Sequence, residues 1–148
     1  MEINGVPLHP LVVHAAVVLT PVAGLVAVGY AVPSWRDRLR WPLVVLAVLA
    51  AAAVWVAYLS GENLRTDRFG AVTGTLADRI ADHETWAKRL RIGASVFAVV
   101  ALAAAWFHGR TGATRAVLTL LTVVAGLVTL VLVVLTGDAG AQATWRID

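Results

Sequence analysis

Four apolar runs, separated by short polar segments, dominate the pattern of the chain. They cover residues 11–32, 41–59, 92–107 and 116–135. A bilayer core about 30 Å thick takes roughly 20 helical residues, so three runs are long enough to cross it and the third is short by about a turn. Arg89 and Arg91 can lengthen the third span by raising their charged heads to the interface.

The fold predicted from this pattern is an all-α, integral membrane antiparallel four-helix bundle, a single four-span domain over residues 1–148. The segment between spans two and three, residues 60–91, contains "TLADRIADHETWAKRL". It predicts an amphipathic helix on the outer surface that can continue into span three. One apolar stripe runs along this helix at intervals of four and three: Leu76, Ile80, His83, Ala87 and Leu90.

Composition adds two constraints, one on the class of protein and one on the ligands that it can offer. With 59% hydrophobic and 14% charged residues and a mean hydropathy of +0.80, the chain lies outside the range of soluble domains. It also contains no cysteine, which excludes disulfides, thiolate metal sites, iron–sulfur clusters and covalently attached c-type haem. Any cofactor must therefore be held by nitrogen or oxygen ligands.

Positive charge predicts the orientation, because basic residues in short loops stay on the cytoplasmic side. The loops between spans one and two and between spans three and four are rich in arginine and are expected inside: Arg36, Arg38, Arg40, Arg110 and Arg115. Both termini and residues 60–91 then lie outside the cell (inner) membrane. The net charge of +3 follows from this topology, and no clustered basic and aromatic surface indicates nucleic acid binding.

The candidate chemistry lies on the outer side. His14 is about 7 Å inside span one on a helix rising 1.5 Å per residue, a costly depth unless its ring faces the bundle. His83 belongs to the apolar stripe of the amphipathic helix. We therefore predict His14 and His83 as a pair across the bundle, with His9 before Pro10 in an interface or capping role.

Two further features are expected to have structural roles. In "TGDAGAQATW", Gly137 is expected to end helix four, with Asp138 and Gly140 in a tight turn and Trp145 at the interface. His108, beside Arg110, is expected to be a cytoplasmic interface residue.

The segments "PLHPLVVHAAV", "SGE" at 60–62, "HE" at 83–84 and "TGDAGAQATW" resemble a four-span bacterial membrane family called domain of unknown function 2231, in an actinobacterial-looking version. The resemblance covers nearly the whole chain. It also implies a likeness in fold to four-helix b-type cytochromes. It places the family's motif positions on these residues: His9, Pro10, His14, Gly61, His83, Gly137 and Gly140.

Three functions follow from these residues. The first is a haem b protein that relays electrons at the outer face, with His14 and His83 as axial ligands and a quinone or redox protein as partner. The second is a cofactor-free membrane scaffold or assembly subunit. The third is a zinc or copper site with additional ligands from His9, Glu84 and Asp138. Membrane lipids are partners in every case, self-association into a homo-oligomer stays open, and no nucleophile paired with a base indicates an enzyme.

Overall fold

The computed structural model describes residues 2–3 and 5–145, with side chains from Gly5 onward. The predicted domain also included residues 1, 4 and 146–148, which lie outside the described residues. Two short antiparallel strands, β1 (Glu2–Ile3) and β2 (Val6–Pro7), precede the helices. The four helices are α1 (Leu8–Tyr30), α2 (Arg36–Phe69), α3 (Thr75–Trp106) and α4 (Gly112–Trp145).

Each helix contains an apolar stretch long enough to cross a membrane. The most apolar 18-residue windows of α1 to α4 have mean hydropathies of 2.3, 2.4, 1.5 and 2.9. The third value is the lowest because α3 combines the short third run with the amphipathic segment before it. Four packed membrane-crossing helices confirm the predicted all-α bundle.

The amphipathic segment is not a separate surface helix. Residues 60–69 extend α2, and residues 75–91 form the first part of α3, so only 70–74 connect the two helices. The turn uses Gly74, whose φ of 74° lies in the left-handed region that glycine adopts readily. No proline or glycine interrupts the chain between Thr75 and Gly93, so the backbone continues as helix into span three.

In cross-section, the four helices occupy the corners of a square. α1 packs against α2 and α4, and α3 packs against the same two helices. Sequential helices are antiparallel, so α1 and α3 run in the same direction on opposite corners. One end of the bundle holds His9 and His83 and is called the histidine end below; the end that holds His108 is called the opposite end.

Small side chains fill the interior. Most buried residues of the described chain are alanine, threonine or glycine, and only a few large side chains, such as Tyr30, Leu43 and Phe97, are fully buried. Small residues let helix backbones approach closely, which is the main source of packing energy between helices in lipid. The alanine-rich runs therefore serve as packing surface.

The buried positions repeat along the chain. Five of the six buried positions of α1 have a buried counterpart in α3 at an interval of 74 residues, from Ala16 and Leu90 to Tyr30 and Ala104. In α2 and α4 the interval is 79 residues, and all five buried positions of α4 have a buried counterpart in α2. The helical hairpins α1–α2 and α3–α4 are therefore two copies of one packing pattern, related by an approximate two-fold axis along the bundle.

The predicted end of helix four at Gly137 is wrong. α4 continues without a break through Gly137 and Gly140 to Trp145, and neither glycine has a positive φ. Glycine often ends helices because it adopts the left-handed conformation, but it also occurs where another group approaches the backbone closely. Gly140 is of the second kind, as the site shows.

Substitution of Gly126 by leucine should destabilise the bundle. A Cβ at Gly126 would lie 3.0 Å from the Ala27 Cβ and 3.4 Å from the Phe97 ring, so a larger side chain has no space. Overpacking of this kind costs about 1–3 kcal/mol. Thermal unfolding in detergent measures the loss, and Val128→Leu, at a position 49% exposed on the same helix, is the control. Equal stability of the two variants would contradict the packing described.

Candidate functional site

The His9 ring is fixed between α1 and α2. Its Nδ1 lies 2.8 Å from the carbonyl oxygen of Ala57 on α2 and donates to it. One turn further along α2, Gly61 lies against the ring, and a Cβ there would be 3.0 Å from both Cε1 and Nδ1 of His9. The hydrogen bond orients the ring, and the glycine leaves room for it.

The His83 ring is held in the same way between α3 and α4. Its Nδ1 lies 3.0 Å from the carbonyl oxygen of Thr136, and Gly140 follows one turn later. A Cβ at Gly140 would lie 3.0 Å from Cε1 and 3.1 Å from Nδ1 of His83. Each element of this arrangement is the repeat counterpart of one in the first hairpin, at the intervals of 74 and 79 residues.

The two rings face each other across the centre of the bundle. Their centroids are 6.3 Å apart and their planes are inclined by 76°. Because each Nδ1 donates its proton to a carbonyl, each Nε2 carries the free lone pair, and neither Nε2 has a hydrogen-bond partner among residues 5–145. With metal–nitrogen bonds of about 2 Å, two imidazoles on opposite sides of one ion have centroids about 6 Å apart.

A cavity of about 710 Å³ lies at the histidine end, and both rings line it. Its walls are mostly apolar, and the α4 side includes several small residues, among them Gly137, Gly140 and Ala141. The whole predicted apolar stripe of the amphipathic segment, from Leu76 to Leu90, lines this cavity. The stripe and the inward direction of His83 were therefore predicted correctly.

Polar groups are concentrated at the rim. Tyr58 donates to Glu62, and Arg65 on α2 pairs with Glu84 on α3, which also binds Lys88 at 3.0 Å. At the rim, the ion pair between Arg65 and Glu84 thus joins the two hairpins, whereas the interior has imidazole nitrogens and mostly apolar side chains.

Among the described side chains, the ring recorded in contact with His83 is not that of His14. His14 lines the same cavity, but its ring is exposed and its Nδ1 is 2.6 Å from the carbonyl oxygen of Pro10 on its own helix. The ring next to His83 is that of His9, for which the sequence predicts an interface or capping role. The internal repeat could have identified this pair from the sequence, because His9 and His83 occupy equivalent positions of the two copies.

The residues proposed for a zinc or copper site do not all converge, because His9, His14, His83 and Glu84 line the cavity but Asp138 does not. Glu84 is bound to Arg65 and Lys88, while Asp138 accepts from Gln142 beside a separate shallow pocket. Within residues 5–145, no three histidine, aspartate or glutamate side chains are grouped closely enough to hold a metal ion. The pair His9 and His83 is the convergent set of nitrogen donors at this end.

The packing of the rings predicts opposite effects for two alanine substitutions on α4. Gly140→Ala should displace the His83 ring and lower thermal stability, because the ring is fixed by its bond to Thr136. Gly137→Ala should raise stability by up to about 1 kcal/mol, since its Cβ would meet nothing within 4 Å and alanine favours helix. Thermal unfolding of both variants is the measurement. A stabilising Gly140→Ala would show that the glycine is not required by the ring.

Comparison with known families agrees with this architecture. The family described as "Predicted membrane protein (DUF2231)" matches residues 5–148, which is nearly the whole chain. No curated protein and no solved structure is significantly similar to this chain. The chain therefore belongs to the DUF2231 family of predicted membrane proteins.

Proposed function

We propose that this protein is an integral membrane haem b protein that relays electrons at the histidine end of the bundle, with His9 and His83 as the axial ligands. The observation that carries the proposal is the 6.3 Å separation of two imidazoles from diagonally opposite helices, each oriented by a backbone carbonyl. Metal-binding histidines are commonly oriented in this way through the ring nitrogen that does not bind the metal.

The cavity suits a large, flat, mostly apolar group. Its volume of about 710 Å³ is within the range of cofactor pockets, its walls are mostly apolar, and the small residues of α4 allow a ring system to approach the helix closely. The two carboxylates of haem need a cation at a wetter edge, and Arg65 lines the cavity at the rim, where it would have to exchange its pairing with Glu84 for a haem carboxylate. Haem b requires no cysteine, in agreement with the sequence.

Ligation by two histidines favours electron transfer over substrate chemistry. With His9 and His83 as its ligands, haem iron would supply one-electron exchange and would keep no open position for oxygen or substrate. The role of the chain is to hold the two rings, exclude water with the mostly apolar walls and fix the axial distance. A single site at one end of the bundle is suited to an electron relay. Its redox partner is a membrane quinone or a redox protein on that side.

A cofactor-free scaffold is the second candidate. Its supporting observation is that both rings already bind carbonyls of the neighbouring helix, as expected of histidines that only fix helix packing. The two proposals differ in the free Nε2 atoms, which a scaffold does not use. Spectroscopy on the purified protein separates them.

Protein purified from a haem-replete host should show a Soret band and, on reduction, split α and β bands of low-spin haem. Either His9→Ala or His83→Ala should abolish the low-spin spectrum, because loss of one axial ligand opens the iron. Visible and electron paramagnetic resonance spectra are the measurements.

His14→Ala is the matched control, since it removes an exposed imidazole from the same cavity without touching the pair. It should keep the low-spin spectrum. Wild-type protein that folds but neither carries haem nor binds added haem would reject the haem proposal and favour the scaffold.

The histidine end is proposed to face outward. Because the native chain has no cysteine, single cysteines report orientation directly. A membrane-impermeant thiol reagent added to intact cells should label Thr66→Cys at the histidine end but not Arg38→Cys at the opposite end. Labelling of Arg38→Cys alone would contradict this orientation and show that the opposite end faces outward.

A further inference from the structure

The cavity at the histidine end has two walls where one hairpin meets the other. One wall is formed by α2 and α3, and the other by α4 and α1. The internal repeat makes the two walls equivalent, so each position of one has a counterpart in the other at the intervals of 79 and 74 residues. The α2–α3 wall carries groups that close it, and the α4–α1 wall lacks them.

Charged and aromatic side chains close the α2–α3 wall. The Arg91 guanidinium lies 4.3 Å from the centroid of the Tyr58 ring and 4.7 Å from that of the Trp55 ring. Nearer the rim, Arg65 pairs with Glu84. Tyr58 is only 8% exposed, so the cation and the two rings occupy the space between the helices.

The α4–α1 wall has none of these groups. At the five equivalent positions it carries only small or apolar residues: Val134, Gly137, Thr144, Pro10 and Val17. Within residues 5–145, no side-chain hydrogen bond or ion pair joins α1 to α4. The counterpart of Tyr58 is Gly137, where a Cβ would meet nothing within 4 Å, so the space that the phenol fills in one wall is unfilled in the other.

Exposure identifies the same wall as the open one. The residues of α3 that line the cavity are all at least partly buried, whereas most of the exposed lining residues belong to α1 and α4, among them Pro10, His14, Val17, Gly137 and Ala141. Val17 lies in the apolar run of α1, so an opening at this level faces lipid. Because Gly137 is one turn before the glycine that touches the His83 ring, the opening leads toward the imidazole pair.

Two hydrogen-bond acceptors of α1 lie at this opening. Nδ1 of His14 donates to the carbonyl oxygen of Pro10, so Nε2 of the neutral ring carries a lone pair and has no partner among residues 5–145. About one turn further along the helix, the carbonyl of Val17 lacks its usual donor, because Pro21 has no N–H. The two acceptors suit a ligand that donates from hydroxyl groups.

We propose that the opening between α1 and α4 is the binding site of a membrane quinol, with a ring hydroxyl donating to Nε2 of His14. A quinol has a flat ring that fits between small side chains, two hydroxyls that donate, and a hydrocarbon tail that stays in the lipid. The choice of a quinol rests on the proposed electron relay, which needs a redox partner at this end. The position of the opening follows from the two walls alone.

Equilibrium binding of decylubiquinol to the protein in lipid nanodiscs, corrected for empty nanodiscs, tests the site. Dithionite keeps the quinol and any haem reduced, so that binding alone is measured. Gly137→Tyr gives this wall the side chain of its counterpart Tyr58 and should lower the affinity by about tenfold or more, because the ring fills the opening. Val131→Tyr is the control, since Val131 is 53% exposed on the same helix and does not line the cavity. It should bind like wild type.

His14→Phe tests the hydrogen bond. Phenylalanine keeps an aromatic ring but offers no acceptor, so the affinity should fall by up to about tenfold, the contribution of one hydrogen bond. Thermal unfolding of every variant is measured to show that it is folded. Wild-type affinity in both Gly137→Tyr and His14→Phe, or no binding to folded wild-type protein, would overturn the proposal.

Two further outcomes separate this inference from the others. A dimer that Gly137→Tyr dissociates, with no quinol bound to wild type, would overturn the quinol site and assign the opening to a second copy of the chain. Haem content is measured on the same samples. Quinol binding with the expected loss in the variants but without haem would support the site and reject the haem relay, whereas low-spin haem without quinol binding would reject the site alone.

Discussion

The hydrogen bond from each histidine Nδ1 to a carbonyl of the next helix is the contact on which the geometry of the histidine end depends. It fixes the ring plane, assigns the proton to Nδ1 and leaves the lone pair on Nε2. It also requires the next turn of that helix to lack a side chain, which explains glycine at positions 61 and 140. Since the acceptors at positions 57 and 136 lie near the ends of the apolar runs, α2 and α4 must continue beyond those runs to complete the site.

The histidines at the two ends of the bundle have different neighbours. His9 and His83 each donate to one backbone carbonyl and contact each other in a mostly apolar cavity, so a neutral ring satisfies these contacts. His108 lies between a carboxylate oxygen of Asp37, 2.7 Å from Nε2, and the hydroxyl of Tyr30, 3.0 Å from Nδ1. A ring with its hydrogen on Nε2 can donate to the carboxylate and accept from the hydroxyl.

Much of the fold could be predicted from the sequence because its causes are local. The apolar runs identified the four helices, and the spacing of Leu76, Ile80, His83, Ala87 and Leu90 identified the face turned to the cavity. Two features depend on tertiary contacts. Gly137 has the local properties of a helix end, but nothing in the local sequence shows that Gly140 must accommodate a ring from another helix. The depth of His14 in its span favours it as the partner of His83, whereas the contact between the rings of His9 and His83 depends on how the helices pack.

The internal repeat also bears on how such a protein arises. Each hairpin supplies one ring, one carbonyl and one glycine, so two copies of a single ancestral hairpin, associated about a true two-fold axis, would already present the complete pair of imidazoles. Gene duplication and fusion would preserve that pair and free the two copies to diverge. The opposite end has diverged: Tyr30 in the first copy corresponds to Ala104 in the second, and the phenol of one now caps the helix carbonyl of the other. The acceptor is a backbone carbonyl, which every residue has, so the divergence lies in the donor: only one copy has kept, or gained, a hydroxyl at this position.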